Sequence, residues 1–438
     1  MKKSRIVIII CLAVLICFGW ITQVGSVAKN SVSYNSFVKN ADKYYEDKLY
    51  QKAIINYESA LEIKYNEKVI DKMLLAYEAS YLENTTTKKE YANALLTICE
   101  QKPNSAKYWE ILLNLHINAT DFNSAYDVVK KCEKTKAKSE KLIQLINDVK
   151  YSYTIKKKSY SEIYQSPEGD VTVFDSTQWG VLDAEGEWVY ECNYDFCSPL
   201  NAKGDVCLVN EFGVRIFDGK GVVQNKLDFD VFGMKACSDD FVPIKLENEK
   251  WKYYSRTENK LVFEGYTDVS SFNSKKALVN TSKKWMVLDS NGKINESIVF
   301  DDVKFYGNGT YIYNDRIVAS QKGLYYLFNE NFEKVSDVGY SDLDVSMGEY
   351  VAFKGANGKW GYIDDSGEIV IKPQYNNAKS FSNGLAAVFI DEKWGFINRN
   401  NELVIDNIFE DAMYFTNQGM CMVSEYDGLY YVLKLRFN

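Results

Sequence analysis

The chain has 438 residues, 46% hydrophobic and 15% aromatic, which excludes a disordered polymer and leaves room for two or three domains. Its formal charge of −8 is unevenly placed: residues 1–160 hold 25 Lys/Arg against 17 Asp/Glu, and residues 161–438 hold 27 against 43. The change of sign marks a domain boundary near residue 160, and an acidic C-terminal part argues against nucleic acid as a partner, because phosphate binding needs a basic surface.

The N-terminus comes first. Lys2, Lys3 and Arg5 precede an uncharged, mostly apolar run from Ile6 to Ile21. A spanning helix needs about 20 apolar residues and a signal-peptide core about 7–15. Two readings of residues 1–28 therefore stand: a retained single-pass anchor, or a signal cleaved near Ser26-Val27-Ala28. The basic flank predicts a cytoplasmic N-terminus. Either reading puts the rest of the chain beyond the membrane, at the cell envelope or secreted.

Residues 34–150 have helical periodicity. Around Asp47–Leu49 two helices meet, with small residues at Ala53 and Ala60 where a partner helix must approach. Phe37, Tyr44, Tyr50, Ala53, Tyr57 and Ala60 resemble the tetratricopeptide repeat. Trp109, Leu112, Phe122 and Ala125 repeat the offsets, and Tyr91 with Ala94 marks a weaker copy between them. Pro103 breaks the chain, and residues 139–150 read as a capping helix; a plain antiparallel bundle is the competing arrangement. The resemblance implies a concave face bearing Asn35, Val38, Asp42, Tyr45, Lys107, Glu110, Asn114 and Ile117, the candidate partner-binding residues.

From residue 151 to 438 the pattern changes to short apolar runs bounded by Asn, Gly and Asp, which read as strands. A phrase recurs: an aromatic, any residue, two apolar residues, Asp or Asn, then Gly three residues on, with degenerate copies at Val214, Tyr325 and Tyr430. The anchor positions are 179, 214, 251, 285, 325, 360, 394 and 430, spaced by 35, 37, 34, 40, 35, 34 and 36 residues. Four short strands per period make a propeller blade. The Asp-x-x-Gly step is a hairpin turn. The anchor Trp is expected between neighbouring sheets, with the following Gly allowing close backbone approach. The pairs Trp179-Gly180, Trp360-Gly361 and Trp394-Gly395 resemble the WG-repeat family of bacterial proteins; at Trp251 and Trp285 the glycine is replaced by Lys252 and Met286. The resemblance implies a non-enzymatic repeat domain. About seven or eight blades are expected. Residues 151–160 could supply the outer strand missing from the last copy and close a ring of about eight blades, with an open solenoid or a seven-bladed ring with one degenerate copy as the rivals.

The chemistry is sparse. The single histidine, His116, excludes a Ser-His-Asp or Cys-His centre and any two-histidine metal site, and is expected to be packed with its polar atoms satisfied. Gly307-Asn308-Gly309 reads as a turn, not a phosphate loop. Asp183, Glu185, Glu187, Asp364, Asp365 and Glu368 recur at hairpins, so turn chemistry accounts for them better than calcium binding. The cysteines read as small buried residues, with a Cys192–Cys207 or Cys197–Cys237 disulfide open if the domain is exported. The sequence thus predicts a multidomain α plus all-β protein with a membrane segment, a tetratricopeptide-like solenoid and a WG-repeat propeller. It is expected to be a non-enzymatic, membrane-tethered scaffold for a protein or cell-wall partner, without cofactor or metal. The alternative is a glycan-binding or glycan-processing propeller.

Overall fold

The computed structural model describes residues 27–438, save 228, 248 and 249. The candidate membrane segment, with Cys11 and Cys17, lies outside the described residues apart from its last two positions. Among the described residues no helix is long and apolar enough to cross a membrane. The chain forms two compact units that meet at Lys150 and Tyr151.

The first unit contains seven described α-helices: α1 (Val27–Glu46), α2 (Tyr50–Ile63), α3 (Glu67–Glu83), α4 (Lys88–Gln101), α5 (Ala106–Asn118), α6 (Phe122–Cys132) and α7 (Glu140–Lys150). Helix α1 begins before residue 34, where the periodicity becomes readable, because its first turns are Ser- and Asn-rich and carry no apolar stripe. Lys48, at φ 59°, turns the chain between α1 and α2. Ala41, Ala53 and Ala60 are wholly buried, and buried Tyr57 donates its hydroxyl to Asp42 at 2.6 Å. The Asn66 side chain accepts from Lys68 N at the start of α3, and Asp121 accepts from Ser124 N at the start of α6, each satisfying a free helical amide. Pro103 sits in the turn before α5, where its carbonyl accepts from Trp109 Nε1 at 2.9 Å.

The second unit is a ring of eight antiparallel sheets, seven four-stranded and one three-stranded. Blade 1 shows the plan: Glu162–Gln165 is the inner strand, followed outward by Val171–Phe174, Trp179–Leu182 and Trp188–Tyr194. The inner strands of blades 2, 3, 4, 5, 7 and 8 begin at Phe196, Gly233, Asp268, Asp302, Asn377 and Asp411. In blade 6 a single bridge, Leu343 to Phe353, takes that place. Seven of the eight anchor positions fall in the strand before the outermost one; in blade 5 the strand Leu324–Phe328, which holds Tyr325, has only the isolated bridges Tyr325–Tyr340 and Phe328–Lys334 beyond it. Tyr153–Tyr160 pairs with Tyr430–Leu435 and completes blade 8, so the ring is closed by its own N-terminal strand. Closure removes the free edge that would otherwise pair with other chains.

The core lies between blades. Trp179 packs with Cys197 and Leu200 of blade 2, Trp285 with Val303 and Ala319 of blade 5, Trp360 with Ala378 and Phe381 of blade 7, and Trp394 with Ala412 and Phe415 of blade 8. Trp251 is only half-buried. A Cβ on Gly180, Gly361 or Gly395 would stand 2.7, 2.5 or 2.7 Å from backbone atoms of the outermost strand, so these positions exclude a side chain.

Candidate functional site

In the helical unit the first helices of successive pairs reach for one another. Lys72 Nζ on α3 lies 2.8 Å from Asp42 on α1, and Lys107 Nζ on α5 lies 2.6 Å from Asp71 on α3. Ser139 Oγ, ahead of α7, donates to Glu110 on α5 at 2.5 Å. Of the residues proposed for the concave face, Asp42, Lys107 and Glu110 are therefore tied to their neighbours. Asn114 donates to the Glu110 carbonyl. Asn35 is exposed, and Val38, Tyr45 and Ile117 are half-buried. A cavity of about 310 Å³ remains, lined by Asp42, Tyr45, Glu46, Tyr57, Lys72 and Leu75. Leu75 and Leu82 are 51% and 75% exposed on α3, a feature the sequence reading missed.

His116 is buried, but its Nδ1 has no hydrogen-bond partner; Asp121 Oδ2 is 3.5 Å away. The expectation of a satisfied imidazole fails because Lys88 Nζ takes that carboxylate at 2.8 Å. Burial, with Lys88 beside it, holds the His116 pKa below the ordinary imidazole value.

In the ring the axial channel is filled by protein. The loop Tyr306–Thr310 of blade 5 crosses it. Asn308 O accepts from Ala236 N of blade 3 at 3.0 Å, and Gly309 O accepts from Ser271 N of blade 4 at 2.9 Å. The Tyr306 hydroxyl donates to Ser346 O of blade 6. Gly307 abuts blade 1 so closely that a Cβ would stand 2.6 Å from Gln165 O. One loop reaches blades on opposite sides only by crossing the axis. It belongs to the longest repeat interval, the 40 residues from 285 to 325. Gly309 N donates to Tyr306 O, which makes the Gly-Asn-Gly stretch a turn.

Beside the plug, Asp344 of blade 6 accepts from Tyr414 Oη of blade 8 and, at 2.7 Å, from Ser380 N of blade 7. Burial pushes the Asp344 carboxyl up, against these hydrogen bonds. Burial also raises Glu168, whose Oε2 has no partner, and takes Asp170 up to about 6 with Glu168 contributing.

A second pattern alternates around the ring. In blades 3, 5 and 7 a lysine follows two residues after the start of the inner segment: Lys235, Lys304 and Lys379. Each ammonium lies over the anchor ring of its own blade, Trp251, Tyr325 or Trp394, at 5.0, 4.8 and 5.5 Å. Each also pairs with an aspartate of the next blade: Asp268 at 2.7 Å, Asp342 at 3.0 Å and Asp411 at 3.4 Å. In blade 1 Tyr164 holds this place and stacks on Trp179, with ring centroids 5.7 Å apart. The lysines clamp anchor rings and fasten neighbouring blades.

The hairpin carboxylates serve backbone. Asp183 Oδ1 accepts from Glu185 N and Glu187 N, both at 2.9 Å, and Asp364 Oδ1 accepts from Ser366 N and Glu368 N at 2.9 and 3.0 Å. The Ser366 hydroxyl and these amides hold the Asp364 carboxyl below its usual range. No group of three or more His, Cys, Asp or Glu able to hold a metal ion occurs among the described residues. The seven described cysteines are free thiols. The pairings Cys192–Cys207 and Cys197–Cys237 are not formed, because the fold sets Cys207 of blade 2 against Cys237 of blade 3 in one apolar cluster.

The model of the WG containing repeat matches residues 179–210, 360–394 and 394–430. The C-terminal unit carries WG repeats. The matches fall on anchors 179, 360 and 394, where the Trp-Gly pair is intact. The N-terminal unit carries tetratricopeptide-like repeats. The TPR repeat-containing protein MJ1428 of Methanocaldococcus jannaschii is 29% identical over 127 residues, 29% of this chain. The chain spans 22% of that protein's length. Among solved structures, BamB from Moraxella catarrhalis aligns with 65% of this chain and 98% of its own, at 12% identity and a TM-score of 0.40. The Sgt2 TPR domain from Aspergillus fumigatus aligns with 27% of this chain and 76% of its own, at 21% identity and a TM-score of 0.20. These similarities do not carry a function to this chain.

Proposed function

We propose that the protein is a non-enzymatic scaffold of the cell envelope, tethered by its N-terminal apolar segment, that binds a protein partner through its two repeat units. The observation that supports this best is the plug. A propeller acting on a small substrate along its axis needs that channel open. Here Tyr306–Thr310 occupies it and bonds to blades 3, 4 and 6. Recognition then falls to outer surfaces, which repeat stacks present as broad, rigid faces.

The deciding experiment is in-cell crosslinking of the full chain followed by mass spectrometry, run beside a panel of cell-wall polysaccharides. Reproducible crosslinks to a defined protein are expected. Sugar release, or saturable glycan binding without a protein partner, overturns the reading in favour of a glycan-directed propeller. Protease added to intact, wall-stripped cells checks the tether. The propeller is expected to be digested, and its protection would sink the extracytoplasmic placement.

A further inference from the structure

The joint between blades 2 and 3 is filled by smaller side chains than its counterparts. Blade 2 is the one blade whose anchor is not aromatic: Val214 stands where the others carry Trp or Tyr. A second filler is the fifth residue counted from the start of the inner strand, which packs against the preceding blade. It is Leu200 in blade 2, Phe272 in blade 4, Phe381 in blade 7 and Phe415 in blade 8, each in a core shared with the blade before it. In blade 3 it is Cys237. Across the joint stands Cys207, from the second strand of blade 2, Val206–Asn210. Both cysteines are wholly buried, in one cluster with Val214, Ile216, Val242 and Ile244.

The two thiols face each other. The Cys207 thiol and burial together hold the Cys237 pKa above the ordinary thiol range. Asn201 Nδ2 donates to Cys237 Sγ at 3.8 Å. Asp205, two residues before Cys207, accepts from Arg256 Nη1 of blade 3 at 2.8 Å, so an ion pair spans the same joint beside the sulfurs. Cys197, on the neighbouring strand of blade 2, turns to the opposite face and packs with Trp179 of blade 1. Cys207 is thus the thiol of blade 2 that meets blade 3. Two thiols already facing on rigid sheets lose little freedom when joined. The bond closes a loop of about 30 residues and so restricts the unfolded chain.

We propose that Cys207 and Cys237 are the site of a disulfide that joins blade 2 to blade 3, formed by exchange with a disulfide oxidant. The thiolate of one cysteine attacks a sulfur of the oxidant and expels the other half of it as a thiolate. The second cysteine thiolate then attacks the mixed disulfide and expels the remaining half. The protein gives up two electrons, and the two cysteine protons end on the two thiols of the reduced oxidant. The linkage concerns the ring alone and does not rest on the scaffold reading. In the test, the detergent-solubilised full chain is incubated with oxidised glutathione, both in native buffer and in urea below the unfolding transition. It is then blocked with N-ethylmaleimide in denaturant and digested with trypsin. Peptides 204–215 and 236–245 each hold one cysteine. Mass spectrometry is expected to find them joined, two hydrogen masses below their sum. The oxidised wild type is expected to melt higher than the same chain in dithiothreitol. Cys207→Ala and Cys237→Ala should lose that shift, and Cys197→Ala should keep it. Absence of the joined pair after both incubations overturns the proposal. So does a joined pair carrying Cys192 or Cys197 instead, or a melting shift that persists in Cys237→Ala. The joined peptide is read on the wild type, so the test decides even if a variant fails to fold.

Discussion

The hydroxyl of Tyr414 in blade 8 lies 2.8 and 2.9 Å from the two carboxylate oxygens of Asp344 in blade 6, reaching past the blade between them. This bond, with the plug, fixes the centre of the ring. Tyr414→Phe leaves a buried carboxylate short of a donor and is expected to cost about 1–3 kcal/mol at pH 7.5. The sign with pH follows from Asp344, whose folded pKa is raised by burial. A raised acid contributes stability at low pH that is lost as pH rises through its folded value. Removing the donor to the charged form raises that pKa further, so the penalty should shrink below it. Urea unfolding of both proteins at pH 4.5 and 7.5 checks this; a penalty larger at pH 4.5 would contradict it.

The anchor tryptophans make a second case. Trp360 packs with Ala378 and Phe381 of the next blade, so Trp360→Ala removes a large core ring and should cost about 3–5 kcal/mol. Gly361→Ala tests the neighbouring constraint, because the new methyl would stand 2.5 Å from Ile371 O. A loss of about 1–3 kcal/mol is expected from overpacking. Far-ultraviolet circular dichroism in urea reads both, and a loss below about 1 kcal/mol for Trp360→Ala would place the ring outside the core.

Lys379 joins Trp394 of its own blade to Asp411 of the next. Lys379→Met and Asp411→Asn are expected to destabilise by about 1–2 kcal/mol each, and the double variant by less than their sum. A double-mutant cycle in urea measures the difference. Strict additivity would mean that the ion pair fastens nothing.

The blades were legible because their determinants are local and periodic. Each anchor ring and each Asp-x-x-Gly turn repeats at a near-constant interval, and residues 151–160 stood out as a strand without a partner. The contacts that fill the channel were not legible. Asp344 and Tyr414 are 70 residues apart and follow no period, so only closure of the ring brings them together. The 40-residue interval did carry a signal, since its extra length is the plug. The concave face of the helical unit was read by position, yet Asp42 and Lys107 are tied to partners about 30 and 36 residues away, which helix spacing cannot reveal. Leu75 and Leu82 escaped because one exposed leucine reads like any other on a helix.

His116 gives a pH dependence in the helical unit. Its imidazole is held neutral by burial and by Lys88, with its pKa below the ordinary value. As pH falls through about 6.5 the unfolded chain takes up a proton that the folded chain refuses, so stability falls with it. His116→Leu removes that proton uptake and keeps the packing volume. The melting temperature of the variant should drop less between pH 7 and pH 5 than that of the wild type. An equal drop in both would assign the acid sensitivity to other groups.

Closure of the ring rests on Tyr153–Tyr160, whose Tyr153 and Ile155 pack against the cluster holding Trp394, Phe409 and Leu433. Deleting residues 153–160 exposes the length of Tyr430–Leu435 as a free edge and uncovers that cluster. Such an edge pairs with whatever strand it meets, and a second copy is the nearest source. The shortened chain is therefore expected to melt lower and to self-associate, as followed by light scattering at increasing concentration. A synthetic peptide spanning residues 151–160 should reverse the self-association by adding the missing strand in trans. A deletion variant that stays monomeric with an unchanged melting temperature would mean that the ring holds without its closing strand.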